Sequence, residues 1–307
     1  MKIDLELTNS GIRRNSIITV GVFDGFHIGH HQIINHLLSR ANKTGLLAGV
    51  VTFREHPYSV LNPDFAPLYI TSLEERIHLI KEMGVDIIIP VTFNIELSRL
   101  SAQDFVLCLK KHLLMSELVI GPNSTLGSNR EGNFEVLQSM GNSSHFTVST
   151  TPLINNNHQP ISSTQIRKAL LQGDMNYTTK MLGRNFSITG KVIRGDGRGK
   201  LLGFPTANVA LQPKIITPAD GIYATLVFID QNCFMAATSI GTRPTFNGEH
   251  RTIEAHIIDR EFDLYDKEIR LEFVQRLRDE VKYTSVETLQ IQMYKDVEKT
   301  KKILQLG

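Results

Sequence analysis

The sequence predicts a protein in two parts of different class, an α/β half built on a parallel sheet followed by a half of antiparallel β-structure that ends in a helix. Three observations predict it. The chain has 307 residues, more than one domain usually holds and enough for two separate cores. From residue 17 to about 183, short apolar runs alternate with amphipathic stretches, the pattern of βαβ units. After Gly183-Arg184 the sequence turns to apolar/polar alternation broken by turns, the pattern of a small barrel or sandwich. The domains are therefore set at 1–183 and 184–307.

In the first half, 17–20, 47–53, 86–91 and 117–120 read as strands, being rich in β-branched residues and bounded by Gly or polar positions. Ser72 and Glu75 make a capping box ahead of Ile77, Leu79 and Ile80, and Gly84 closes that helix. Ser101 and Asp104 open another helix through Phe105, Val106, Leu109 and Leu113. In the second half, 187–193, 222–228, 252–257 and 268–273 read as strands. Thr284 and Glu287 form a capping box for a terminal helix with Val286, Leu289, Met293 and Val297 at helical spacing.

Composition narrows the function. Lys and Arg number 33 against 31 Asp and Glu, and a balance of +2 gives no field that would recruit nucleic acid or an anionic membrane. No apolar run reaches membrane-spanning length, and Asp4 and Glu6 sit where a signal peptide needs an apolar core. Cys108 and Cys233 each lie in an apolar segment and read as buried free thiols of a reducing compartment. The expectation is a cytoplasmic monomer or weak oligomer whose partners are small molecules.

The strand at 17–20 runs into Gly21-Val22-Phe23-Asp24-Gly25-Phe26-His27-Ile28-Gly29-His30 and then a helix bearing Ile33, Ile34, Leu37 and Leu38. A helix N-terminus at the carboxyl end of a first parallel strand offers unpaired N–H groups to phosphate, and His27 and His30 add donors one turn apart. A polar surface cluster would account for His27, His30 and His31 equally well, and no third ligand is spaced as zinc requires. Ile161-Ser162-Ser163-Thr164-Gln165-Ile166-Arg167 opens a second helix with hydroxyls and an Arg at its start, although Ser-Ser-Thr is also plain N-cap chemistry. The two segments together resemble the paired signatures of class I nucleotidyltransferases.

In the second half, Gly195-Asp196-Gly197-Arg198-Gly199-Lys200 precedes Gly203-Phe204-Pro205-Thr206-Ala207-Asn208. Glycine backbone suits phosphate, and the Thr206 hydroxyl and Asn208 amide oxygen are hard ligands suited to Mg²⁺. A turn-rich loop would explain the glycines alone. Glu254 shares a strand face with Thr252 and His256, a position most often filled by a solvated outer-face Glu.

These segments, with Thr52-Phe53, His56-Pro57, Leu182-Gly183-Arg184, Gly241-Thr242-Arg243-Pro244-Thr245-Phe246, Ile253-Glu254-Ala255-His256 and Leu277-Arg278-Asp279-Glu280, closely resemble the prokaryotic bifunctional riboflavin kinase/FMN adenylyltransferases, also called FAD synthetases. The resemblance spans nearly the whole chain. It implies an N-terminal Rossmann-like adenylyltransferase and a C-terminal six-stranded flavokinase barrel with a terminal helix, both using ATP and Mg²⁺ and acting on riboflavin, FMN and FAD. In the kinase half it implies Thr206 and Asn208 as metal ligands, Gly195, Gly197, Gly199 and Lys200 around phosphate, Glu254 as base and Arg278 on flavin. In the other half it implies His27 and His30 as catalytic donors. Gly21, Phe23, Asp24, Gly29, Ser163, Thr164 and Arg167 would meet ATP there, and Asn123 flavin. The chain departs from the family pattern at Ser124 and Leu126, where relatives often carry aromatics, and at Gln165, where Arg is frequent. Two other readings therefore stand beside the bifunctional enzyme: a riboflavin kinase with an altered N-terminal domain, and a flavin- or nucleotide-binding regulator without turnover.

Overall fold

The computed structural model describes residues 2–62, 64, 68–152, 155–156, 159–195, 197–245 and 248–305. Asp196 and Phe246, quoted within motifs above, lie outside them. By backbone contacts the chain divides into two compact units, Met1–Ser163 and Thr164–Gly307.

The first unit contains, in order, α1 (Lys2–Thr8), β1 (Ser16–Gly21), α2 (Ile28–Thr44), β2 (Leu47–Phe53), α3 (Pro57–Leu61) and α4 (Leu73–Glu82). β3 (Ile87–Val91), α5 (Ile95–Ser98), α6 (Ala102–Leu113), β4 (Met115–Ile120), α7 (Phe134–Ser144), β5 (Thr147–Thr150) and the short pair β6 (Asn155–Asn156) and β7 (Gln159–Pro160) follow. The sheet runs β3-β2-β1-β4-β5 and every pairing in it is parallel. Its strands are apolar on both faces because both faces are covered. Ile17, Val50 and Val119 pack with Ile34 and Leu37 of α2, while Ile18, Val51 and Leu118 pack with Phe105 and Leu109 of α6. The hydroxyls of Ser72 and Ser101 accept from the N–H groups of Glu75 and Asp104 at 3.1 and 3.0 Å, as the capping boxes require. Strand order reverses between β1 and β4, the place where open α/β sheets bind ligands.

The second unit holds α8 (Ser163–Gln172, entered from Thr164), α9 (Met175–Leu182), β8 (Phe186–Ile193), α10 (Arg198–Leu201), β9 (Ala207–Val209), β10 (Gly221–Ile229), β11 (Asn232–Thr245), β12 (Gly248–Ile257), β13 (Glu268–Arg278) and α11 (Val286–Gln305). Its strands close as a barrel, β10-β11-β12-β9-β8-β13, which settles barrel against sandwich. Closure uses Gly190, where a Cβ would collide with the Ala210 carbonyl. Tyr223, Val227, Ile240, Ile253, Ala255, Leu271 and Phe273 are buried, and α11 packs across β10, β11 and β13.

Two expectations are corrected. The terminal helix is capped by Ser285, whose Oγ accepts from Thr288 N–H at 3.3 Å, one residue later than Thr284. Cys108 is buried but Cys233 is exposed, because Cys233 stands next to the tip of the β10–β11 hairpin, where Ile229 pairs with Asn232.

Candidate active sites

In the first unit, the loop from β1 to α2 is held in an uncommon backbone conformation. Phe23, Gly25 and Phe26 have φ of 53°, 78° and 37°, a left-handed geometry that non-glycine residues adopt only when their surroundings impose it. Phe23 and Phe26 are buried as its anchors. Asp24 is also buried, its carboxylate accepting the N–H groups of Ile70 and Thr71 at 2.9 and 3.2 Å. It braces the loop from beneath.

His27 is the N-cap residue of α2. Its ring stacks on that of His30, centroids 3.7 Å apart and planes 15° apart, and Gly29 makes room, since a Cβ there would press on the His27 ring at 3.1 Å. Two imidazolium ions could not stack this way cheaply. Burial holds His30 well below the usual histidine range, and the charges of His27, His31 and Arg76 push the same way. His30 is therefore a neutral hydrogen-bonding group at pH 7. Gly21 lets the Phe23 ring approach at 3.0 Å from where a Cβ would sit.

Ser163, the first residue of α8, donates its hydroxyl to the Asp24 carbonyl at 2.8 Å. The hydroxyl joins the two signature segments. Thr164 is exposed and Arg167 half-buried on the same helix. Asn123 is exposed in the loop after β4, and Leu126, at one of the positions that departs from the family pattern, is buried in the core with Phe105. Gln165 accepts from the Tyr177 hydroxyl at 2.8 Å. Of the other quoted residues, Thr52 donates to the Val22 carbonyl at 3.2 Å, and His56 caps α3 ahead of Pro57.

The sequence reading overlooked Arg76. It is 1% exposed and donates to the carbonyls of Val22 at 2.7 Å and Phe53 at 2.9 Å, tying the ends of β1 and β2 together. The available signal was an Arg one position before Ile77, on the apolar side of α4.

In the second unit, strand register assembles the site. Glu254 stands opposite Asn208 on one side and Ser239 on the other, and the Thr206 hydroxyl donates to Glu254 Oε2 at 3.3 Å. The glycine-rich loop folds directly onto these groups: a side chain at Gly195 would overlap the Asn208 amide, and one at Gly199 would overlap the Phe204 carbonyl and press on Thr206 Oγ1. Gly197 begins α10 with φ 70°. His256 Nδ1 lies 2.9 Å from the Pro205 carbonyl, an oxygen that can only accept, so that nitrogen carries the proton and pins the segment before Thr206.

Two cavities meet at Thr206. One, of about 480 Å³, is lined by Gly195, Gly197, Lys200, Thr206, Asn208 and residues 260–265. The other, of about 360 Å³, is lined by Thr206, Glu254, His256, Arg278, Glu280 and the apolar face of α11 at Leu289, Met293 and Val297. Arg278 reaches this second cavity with its guanidinium committed to Asp296, Nη2 to Oδ2 2.6 Å. Glu280, quoted in the sequence only as part of Leu277-Arg278-Asp279-Glu280, lines this cavity too; burial raises its pKa, with the charges of Asp220 and Glu254 adding to the shift.

A family model described as FAD synthetase matches residues 10–165, and one described as riboflavin kinase matches 182–304. Curated proteins named bifunctional riboflavin kinase/FMN adenylyltransferase are similar from end to end. That of Buchnera aphidicola subsp. Schizaphis graminum is 34% identical over 96% of this chain and 96% of its own. The chain belongs to the bifunctional riboflavin kinase/FMN adenylyltransferase family. The family member of Escherichia coli K12 is 34% identical over 91% of this chain and 90% of its own, and that of Pseudomonas fluorescens 35% over 92% and 91%. A solved protein from Streptococcus pneumoniae described as a macrolide-efflux protein has the same fold, with TM-score 0.90 and 32% identity over 96% of both chains. No helix among the described residues is long and apolar enough to cross a membrane.

Proposed function

We propose that this chain phosphorylates riboflavin to FMN with ATP and adenylylates FMN to FAD with a second ATP, releasing pyrophosphate. The observation that carries the kinase part is the pair of cavities meeting at Thr206 with Glu254 on the wall of one. The larger cavity, rimmed by Gly195, Gly197 and Lys200, suits the nucleotide, and the other, with its apolar α11 wall, suits the flavin. Glu254 then takes the proton of the ribityl 5′-hydroxyl, a poor nucleophile at neutral pH, as the γ-phosphoryl group is transferred.

Thr206 and Asn208 offer oxygen donors of the kind Mg²⁺ prefers, side by side at the nucleotide cavity. Among the described residues no group of three His, Cys, Asp or Glu could hold a metal by itself. A cation here would accordingly be shared between Thr206, Asn208 and the ATP phosphates, offsetting phosphate charge. Arg278 borders the flavin cavity while clamping α11 through Asp296.

In the first unit the nucleophile is already an anionic phosphate, so alignment and charge stabilisation suffice. The α2 N-terminus, the stacked His27 and His30, and Ser163 form the phosphate site, with Gly21, Phe23, Asp24 and Gly29 shaping its loop. Thr164 and Arg167 are assigned to ATP, and Asn123 to flavin, on the family likeness alone. The functional boundary falls at 183/184, where Gly183 ends α9 in a left-handed cap ahead of β8.

One time course tests the whole. Purified protein is given riboflavin, ATP and Mg²⁺ and the products are separated by chromatography. FMN followed by FAD is expected. FMN alone would replace the proposal with a riboflavin kinase whose N-terminal domain is altered, and neither product would replace it with a binding protein.

A further inference from the structure

Among the described residues Arg76 has the largest of the fully buried side chains, and burial of a charge is expensive unless the surroundings use it. Its two terminal nitrogens are bound to carbonyl oxygens, of Val22 and Phe53, and its Nε has no hydrogen-bond partner. Among the described residues no carboxylate lies within ion-pair distance of it. The groups whose fields reach it are Asp24, whose Oδ1 already accepts two backbone N–H groups, then Tyr69 and Glu74. Its own field reaches His30. The two carbonyls it holds end β2 and lead out of β1, directly before the strained turn at Phe23 to Phe26 and the histidine pair.

A structural brace alone would not need a charge. A residue that must both fix this turn and favour an anion above it needs a cation whose partner is supplied only when substrate binds. We propose that Arg76 is a positioning residue for adenylyl transfer, clamping the ends of β1 and β2 beneath the histidine loop and placing a fixed positive charge under the pocket that receives the anionic nucleotide. This rests on the adenylyltransferase reading of the first unit.

Two variants separate clamp from charge. R76K keeps the charge but cannot bridge two carbonyls in one plane; R76M removes both. FAD formation from supplied FMN is measured as kcat and ATP KM, with FMN formation from riboflavin as the control in the same preparations. Both variants should lose about tenfold or more in kcat for FAD formation. R76M should also raise ATP KM about tenfold, whereas R76K should leave it within about threefold. FMN formation should stay near wild type in both. R76M matching wild type, or R76K raising ATP KM as far as R76M, overturns the proposal. If R76M does not fold, R76K decides alone: unchanged kcat or a tenfold higher ATP KM overturns it. A wild-type protein making no FAD from FMN would instead defeat the reading of the site itself.

Discussion

Glu254→Gln separates chemistry from structure at the kinase site. Glutamine has the length of glutamate, and its amide oxygen can still accept from the Thr206 hydroxyl, 3.3 Å from Oε2 in the native chain. That bond is long and the residue half-buried, so its loss of charge should change folding stability by about 1 kcal/mol or less. For a unit of this size that is a Tm shift of about 4 °C or less. What glutamine cannot do is take a proton. Removing a positioned general base costs about 10²- to 10⁴-fold, or about 2.7 to 5.4 kcal/mol on the barrier, so the catalytic effect far exceeds the structural one. The assay is initial-rate FMN formation under saturating ATP, with thermal unfolding and FAD formation from added FMN as controls. FMN formation within about threefold of wild type, in a variant with unchanged melting, would remove Glu254 from the base role.

Three further outcomes are expected. His27→Ala should slow FAD formation from FMN by about tenfold or more while leaving FMN formation near wild type; equal loss of both in rate assays would show that the two activities are not independent. Gly195→Ala should impair the kinase by about tenfold, because the new methyl must displace the Asn208 amide, and a shift of that kind costs about 1–3 kcal/mol; an unchanged rate would take Asn208 out of the site. His30 is held neutral in the folded chain, its pKa lowered by burial first, so the unfolded chain binds more protons below pH 6.5. Stability tied to His30 is thus complete above about pH 6.5 and is lost as pH falls towards its folded pKa. Melting between pH 7.5 and 5.5 should fall less in His30→Asn than in wild type, and equal falls would contradict that account.

The sequence made legible what depends on local pattern. β2 spans 47–53 as its apolar run does, and Ser72 and Ser101 cap their helices because capping is settled within four residues. β5 escaped notice because Thr147-Val148-Ser149-Thr150 is polar and short, as edge strands often are. β11 escaped because Ser239, Gly241 and Pro244 interrupt its apolar pattern, and only the barrel around it makes it a strand. At the sites, residue types were legible but partnerships were not. That Glu254 faces Asn208 follows from β9–β12 register, which no periodicity encodes. Asp24 looked like a residue for ligand and is engaged by backbone N–H groups. Arg76, which the sequence reading passed over, is buried.

The two halves differ in a way that matches the two chemistries proposed for them. Transfer to a neutral hydroxyl calls for a base, and the barrel places a half-buried carboxylate on the wall of one cavity, beside the Thr206 that both cavities share, with a second carboxylate, Glu280, whose pKa is raised nearby. Transfer to a phosphate calls for no base and is harmed by negative charge. In the first unit the carboxylate in the histidine loop, Asp24, is turned inward onto the N–H groups of Ile70 and Thr71. What that loop then presents is a helix N-terminus and an imidazole pair whose first ring is buried and whose second is neutral, with a buried guanidinium nearby. A carboxylate facing the same pocket would repel phosphate by several kcal/mol at close range in a partly buried site. Burying Asp24 therefore does two things: it ties the left-handed turn before His27 to the backbone of Ile70 and Thr71, and it keeps the proposed anion site free of a competing anion.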